Sequence, residues 1–299
     1  MCQPKVISSI ESFVVETKQD YEKWGIEFPW FRGEPTTDTP LVPMLYRGDY
    51  QNIGDFENRL LQYFRMKAPS FWYANLPDRN HTDQWLFLAQ HVRLPTRLLD
   101  WTEGSLIALY FALQEKEPLV WMLNPFALNR LSTDSGNPKE HNIYPLTWYD
   151  PTDCVCEFKK EAIITQAQKE GRTPECYKPN IGFENIAGAW TNDTRGCKLP
   201  IAIQTTIVHP RMTAQRSCFT VHGKDKRSLC ELFSEIAKSD IIKKYVFDIR
   251  DENRRKVLLD ELRILGVSEA TILPELEGLT KELTQLFRPD LANYGASQL

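Results

Sequence analysis

The chain has 299 residues, 42% of them apolar and 25% charged, with a formal net charge of −4. Such a chain is long enough to bury a sizeable core, and its balance excludes a general electrostatic pull toward nucleic acid or anionic membrane. Seven cysteines, an odd number at this length, do not make a disulfide framework, so reduced thiols and a cytoplasmic location are expected. The opening MCQPKVISSIESFVVE has no apolar run behind a basic segment and does not read as a signal peptide. No stretch approaches the roughly 18 apolar residues of a membrane span, so no membrane partner is expected.

In chain order, ISSIESFVVETKQ spaces Ile7, Ile10, Phe13 and Val14 as a helix does. The short aromatic PWFRG predicts a strand, and the three prolines in residues 34–43 predict a loop. DFENRLLQYFRMKA puts Phe56, Leu60 and Phe64 on one helical face, with Asp55 at the N-cap position. TDQWLFLAQHV is a second such helix, capped at Thr82 or Asp83. RLPTRLLDWTEG is no regular helix, because Pro95 restricts both itself and its predecessor. SLIALYFALQ is apolar nearly all round and predicts a buried helix. PLVWMLN, LPIAIQTTIVHP, SCFTVHG and KKYVFDI predict strands. Residues 125–155 are rich in Asn, Asp, Ser and Pro and predict a surface excursion. SLCELFSEIAKS and DENRRKVLLDELRILG predict amphipathic helices, the second closed by Gly266, and a final turn and helix follow. Helices and strands interleave without a βαβ repeat. The expected fold is α+β, a single domain over residues 1–299 with mixed or antiparallel sheets and flanking helices.

Familiar catalytic and metal motifs are absent. There is no G-x-G-x-x-G, P-loop, HExxH, GxSxG or EF-hand loop. Cys154 and Cys156 form a C-x-C that no second pair or flanking His completes, so no metal is expected. Three polar concentrations stand out. Arg32 follows two large aromatics, Trp30 and Phe31, and a core arginine needs an anion, from the protein or from a ligand. Gln90, His91, Thr96, Arg97, Asp100 and Thr102 form a polar knot between two strongly apolar helices, which must be hydrogen-bonded internally, as a site or as a structural staple. Arg211 and Gln215 precede a strand containing Phe219 and Thr220. The basic run Arg254, Arg255, Lys256 alternates with acids and predicts a solvated face.

In combination, Phe31-Arg32-Gly33, Leu45-Tyr46-Arg47, LAQHVRLPTRLLDWTEGSLIALYFAL and RMTAQRSCFTVHG resemble the FRG-domain family, named for its Phe-Arg-Gly signature; the resemblance runs from about residue 10 to 285. The family often has Gly where Val92-Arg93 and Ser217 stand, and Leu273-Pro274-Glu275-Leu276 replaces its usual F-P-D-L. The chain is similar, more distantly, to R-S-E-type mono-ADP-ribosyltransferases, which open on an aromatic-Arg-Gly strand. Asp100-Trp101-Thr102 then stands where their S-T-S motif would, followed in step by Ala108-Leu109-Tyr110-Phe111-Ala112. This resemblance implies NAD as substrate and a macromolecular target, in a toxin or defence role. Phe31, Arg32, Gly33, Thr96, Arg97, Trp101, Thr102, Phe219 and Thr220 would bind NAD, and Arg32, His91, Asp100 and Gln215 would be catalytic. Gln215 occupies the place of the transferases' Glu. Two alternatives stand beside it. One is a ligand- or partner-binding module without turnover; the other is a nucleic-acid enzyme or binder using a groove of Arg32, Arg47, Arg93 and Arg97.

Overall fold

A computed structural model describes residues 4–25, 28–34, 40–48, 53–71, 76–78, 82–114, 117–132, 146–147, 199–204, 207–223, 225–235, 241–249 and 251–287. The Cys154/Cys156 pair lies outside them.

Eight strands make one mixed sheet in the order β1-β8-β4-β2-β3-β7-β6-β5. They are β1 (Lys5–Ile7), β2 (Trp30–Glu34), β3 (Leu98–Thr102), β4 (Leu119–Leu123), β5 (Leu146–Thr147), β6 (Ile201–Gln204), β7 (Ser217–Val221) and β8 (Ile242–Phe247). Only the outermost pairs, β1 with β8 and β5 with β6, are parallel. The fold is α+β, as expected. Strand β3, which the sequence shows only as non-helical, was concealed by its pattern, and so was β1, which takes Ile7 out of the expected first helix; that helix begins at Ile10 with Ser9 as its N-cap.

Helices cover both faces. On one lie α1 (Ile10–Trp24), α4 (Ser105–Ala112), α8 (Glu252–Ile264) and α9 (Glu269–Ile272). Their core joins Phe13, Phe31, Leu109, Val120, Tyr245, Leu262 and Ile272. Further along the sheet, α3 (Thr82–His91) and α6 (Pro210–Ala214) close a second cluster of Phe87, Leu98, Ile203, Met212 and Phe219. The opposite face packs Trp30, Trp101 and Trp121 against α5 (Pro125–Ser132) and α7 (Leu229–Glu235). Outside these layers run α2 (Ile53–Lys67) and α10 (Leu276–Phe287). No helix among the described residues is long and apolar enough to cross a membrane.

Several boundaries differ from expectation. Helix α2 begins at Ile53, so Asp55 lies inside its first turn and is not the N-cap; Thr82 and Asp83 are likewise inside α3. The first residues of the expected excursion fold as α5, whose Leu128 and Asn129 are fully buried. Asn129 is tolerated there because its amide bonds both Ala202 N–H (2.7 Å) and Ala202 C=O (2.9 Å), acting as a strand-pairing partner for β6.

Gly266 closes α8 with φ +84°, as predicted. At the end of α3 the same job falls to Arg93, with φ +65°. Its N–H donates to Gln90 C=O (3.0 Å) and Leu94 N–H to Ala89 C=O (2.9 Å), the two bonds of a Schellman cap. A residue other than glycine is costly there, since a Cβ is disfavoured in the left-handed region. Arg93 is exposed, and its side chain makes no hydrogen bond or ion pair. Arg93→Gly is therefore expected to stabilise the fold by about 1 kcal/mol; an unchanged or lowered urea midpoint would contradict this.

Candidate functional site

The sheet is divided at its middle. β2 pairs along all five residues with β4, and β3 along all five with β7. Between β2 and β3 a single pair holds, Phe31 opposite Thr102. Beyond it the two strands part, leaving backbone groups without ladder partners. Arg32, Glu34 and Asp100 lie on the strand segments that part.

The opening is bridged by side chains. Arg32 Nη1 donates to the Asp100 carbonyl (2.8 Å), replacing a ladder bond, and sits 3.8 Å from Asp100 Oδ2. Arg32 Nε donates to Glu34 Oε1 at 2.5 Å. Glu34 is almost fully buried, so the anion the core arginine needs is in part structural. A relay then fixes Asp100. Leu98 N–H donates to Thr96 Oγ1 (3.1 Å), so the Thr96 proton goes to Gln90 Oε1. That orients the Gln90 amide, whose Nε2 donates to Asp100 Oδ2 at 2.8 Å. Among the described residues no other residue bonds Oδ1 of Asp100, and the side chain is 55% exposed. Close-packed protein around this recess pushes its carboxyl above its ordinary value, against the opposing pull of Arg32 and the Gln90 bond. An accessible carboxylate with one oxygen anchored, one oxygen open and a raised pKa is suited to accept a hydroxyl or handle a proton.

The other sequence-predicted residues have structural work. Phe31 and Gly33 face α4, in the core. Trp101 is buried, and its Nε1 donates to Thr220 Oγ1 (3.1 Å). Phe219 stacks on Phe87 with centroids 5.6 Å apart. Thr102 is buried; its hydroxyl donates to Gln215 C=O (2.7 Å) and accepts from Gly104 N–H (2.9 Å). Gln215 donates its amide to Ile272 C=O (3.4 Å). Arg97 is gripped by Glu57 through its backbone N–H (2.9 Å), Nε (2.7 Å) and Nη2 (2.6 Å). Of the four arginines expected to form a basic groove, Arg32 and Arg97 are each matched by a glutamate. The buried Cys218 thiol is held well above its ordinary pKa by burial, which disfavours the thiolate.

His91 is drawn to a separate corner. Its ring meets that of His209, the N-cap of α6, tilted at 33° with centroids 4.2 Å apart, near the Arg211–Glu275 ion pair (2.7 Å). Burial, then His209 and Arg211, push His91 down to about 4 from 6.5. Since its folded pKa lies below the unfolded one, the unfolded chain takes up the proton first as pH falls. The stability held by neutral His91 is complete above about pH 6.5 and lost toward pH 4. His91→Gln should therefore flatten the fall in urea midpoint between those pH values; equal slopes in variant and wild type would remove His91 as a cause.

Sequence reasoning missed Glu34 as the partner of Arg32, although a carboxylate two residues on in a strand shares its face. It also missed Glu103, at the end of β3, which bonds Arg216 (3.3 Å) and Gln204 (3.1 Å).

Comparison with curated proteins and comparison with solved structures each returned no match. The family model for the FRG domain matches residues 28–119. That stretch runs from just before β2 to the first residue of β4; the later resembling blocks lie beyond it. Arg32, Gln90 and Asp100, the residues that bridge the opening, all fall inside the stretch that matches the FRG-domain model.

Proposed function

We propose that the opening between β2 and β3 binds NAD as a substrate, and that the protein transfers its ADP-ribosyl group to a macromolecular acceptor. One observation carries this reading. The two segments that resemble transferase motifs, far apart in sequence, are neighbouring strands that part around Arg32 and Asp100. Arg32 would donate charge-assisted bonds to the pyrophosphate from the nitrogen that Glu34 and Asp100 leave open. Asp100 Oδ1 would face ribose hydroxyls or the cationic ribose formed as the bond to nicotinamide breaks. The acceptor then bonds to the ribose carbon, its proton passes to a base such as Asp100, and nicotinamide leaves. The resemblance extends this to a toxin or defence role.

A second reading, binding without turnover, is favoured by Gln215. It is uncharged and turned toward Ile272, and a missing electrostatic group of this kind typically costs about 3–4 kcal/mol of barrier. Calorimetric titration of NAD with mass-spectrometric detection of nicotinamide separates the two. Asp100→Asn keeps the acceptor for Gln90, so it should fold and bind within a few-fold of wild type. It should release nicotinamide about 100-fold more slowly. Binding by wild type without nicotinamide supports the second reading; no heat at all sinks both.

A further inference from the structure

Helices α1 and α8 both send their inner faces into the core, through Ile10 and Phe13 on one and Leu258 and Leu262 on the other. Their outer edges leave a groove of about 470 Å³ between them. Val14 and Val15 form one wall, and Ile264 and Leu265 at the end of α8 form the other. All four are exposed, Ile264 at 81%. Contiguous exposed apolar side chains with a polar rim mark a surface that a partner covers. The two charged residues that line the groove are both acids, Glu11 and Glu261. Among the described residues neither carboxylate has a hydrogen bond or an ion pair. The groove therefore fits an apolar ridge that carries positive charge.

Such a ridge stands on α2 of the same chain. The inner face of α2 is committed: Glu57 holds Arg97, Leu61 packs on the Phe87–Phe219 cluster, and Phe64 meets Trp85 edge-on (6.0 Å). The opposite face carries Arg59, Tyr63, Met66 and Lys67, with Tyr63 and Met66 exposed at 64% and 63%. Phe71, just past the helix, is exposed as well. Arg59 and Lys67 lie about 12 Å apart along the helix axis. Among the described residues neither cation has a hydrogen bond or an ion pair. Positions i, i+4, i+7 and i+8 are those by which a helix enters a groove, and aromatic, Met and Arg side chains are the ones that interfaces favour.

Ridge and groove stand on different halves of the sheet. α1 and α8 belong to the β1–β8 end, where Arg254 bonds Ser8 C=O (3.0 Å), and α2 to the side of β3, β7 and β6. With its inner face held to the body, α2 cannot turn into the groove of its own chain; a second copy's α2 can enter it. Other pairings of this chain's exposed apolar surfaces set like charges together. Groove on groove would join four glutamates. The stripe of Leu276, Leu279 and Leu283 on α10 is flanked by Glu277 and Glu282, and Lys281 beside it is already paired with Glu269 (2.7 Å).

We propose that the protein self-associates head to tail, with α2 of one copy docked in the α1/α8 groove of the next and Arg59 and Lys67 set against Glu11 and Glu261. Two different surfaces meet, so the contact closes a ring or extends a row of copies, according to the rotation between neighbours. Neither surface includes Arg32 or Asp100, and the inference stands apart from the NAD reading.

Sedimentation velocity on the full chain, from low micromolar to near-millimolar concentration, tests it. Wild type should grow in mass with concentration. Arg59→Glu with Lys67→Glu makes the ridge acidic, and Glu11→Lys with Glu261→Lys makes the groove basic. Each double variant alone should raise the dissociation constant at least ten-fold. Mixed one to one, the two should associate as wild type does, because an acidic ridge then meets a basic groove and a basic ridge an acidic one. A variant that merely misfolds cannot be rescued in this way. A wild type that stays monomeric throughout, or a mixture as weak as its components, overturns the proposal. Association that survives both charge reversals but is lost in Leu279→Ser with Leu283→Ser overturns it in favour of α10.

Discussion

Gly33→Ala is expected to leave no cooperatively folded protein. A Cβ at this position would lie 1.9 Å from Ala108 O and 2.7 Å from Ala112 N, both backbone atoms of α4. No rotamer change relieves such a contact, so either α4 lifts from the sheet or β2 shifts in its ladder with β4. Phe31 and α4 share one apolar cluster with Val120 and Met122, so lifting the helix opens the centre of the core. Overpacking of a flexible site typically costs about 1–3 kcal/mol, and a backbone-on-backbone clash exceeds it. Against a total stability of about 5–15 kcal/mol, that is enough to unfold the chain or leave a loosely packed state. Circular dichroism with a thermal scan checks it: a sharp transition within about 5 °C of wild type would mean that α4 can shift cheaply. The Gly of the Phe-Arg-Gly signature is thus explained by the approach of a helix to a strand. This also warns that loss of binding in Gly33→Ala says nothing about ligand contact.

The elements legible in the sequence were those whose burial is one-sided or complete. Helix α1 was legible through Ile10 and Phe13, which are buried on one stripe, although Ile7 lies in β1 and Val14 is exposed; β4 shows as a continuous apolar run because helices cover both its faces. β3 was not legible, since Arg97, Asp100 and Thr102 interrupt the apolar pattern where the strand borders the opening. α5 was hidden for the related reason that Asn124 and Asn129 read as loop residues. One serves the helix by accepting Ala127 N–H (2.9 Å), and the other pairs with β6. Asn129, like Arg97 and Thr102, is satisfied by a partner distant in the chain, and no local pattern carries that information; the partner of Asn124 is local.

The candidate site was legible as a set of residue types and not as a set of contacts. The polar knot at residues 90–102 was expected to bond internally, but only Thr96, Gln90 and Asp100 bond one another, and His91, Arg97 and Thr102 find partners outside it. Thr96, Gln90 and Asp100 face the opening with Arg32. His91 leaves toward His209 at the end of its helix, and Arg97 turns to Glu57 on α2. Neighbours in sequence go to different places because the chain changes from helix to cap to strand within these residues. The question of which anion Arg32 meets has two answers for the same reason: Glu34 takes one side of the guanidinium, and the open side faces the gap.

Breaking the Arg97–Glu57 pair should have the other large effect. Both side chains are buried, at 9% and 1% exposure, and Glu57 accepts from the Arg97 backbone as well as from its guanidinium. Glu57→Gln removes the counter-charge and leaves a guanidinium in the core, with an expected loss of about 3–5 kcal/mol. Arg97→Met leaves the carboxylate buried, though still bonded to one N–H, and should cost a similar amount. Together, Glu57→Leu and Arg97→Met delete both charges and keep the volume. The double variant should recover most of the loss, except about 1 kcal/mol for the orphaned Arg97 N–H. Urea midpoints for wild type, Glu57→Leu, Arg97→Met and the double variant close the cycle, with Glu57→Gln measured beside them. A double variant as unstable as the sum of the singles would mean that the pair acts through other partners. If instead the double variant folds well but loses every ligand that Arg32 binds, Arg97 also sets the position of Thr96, and through Gln90 that of Asp100.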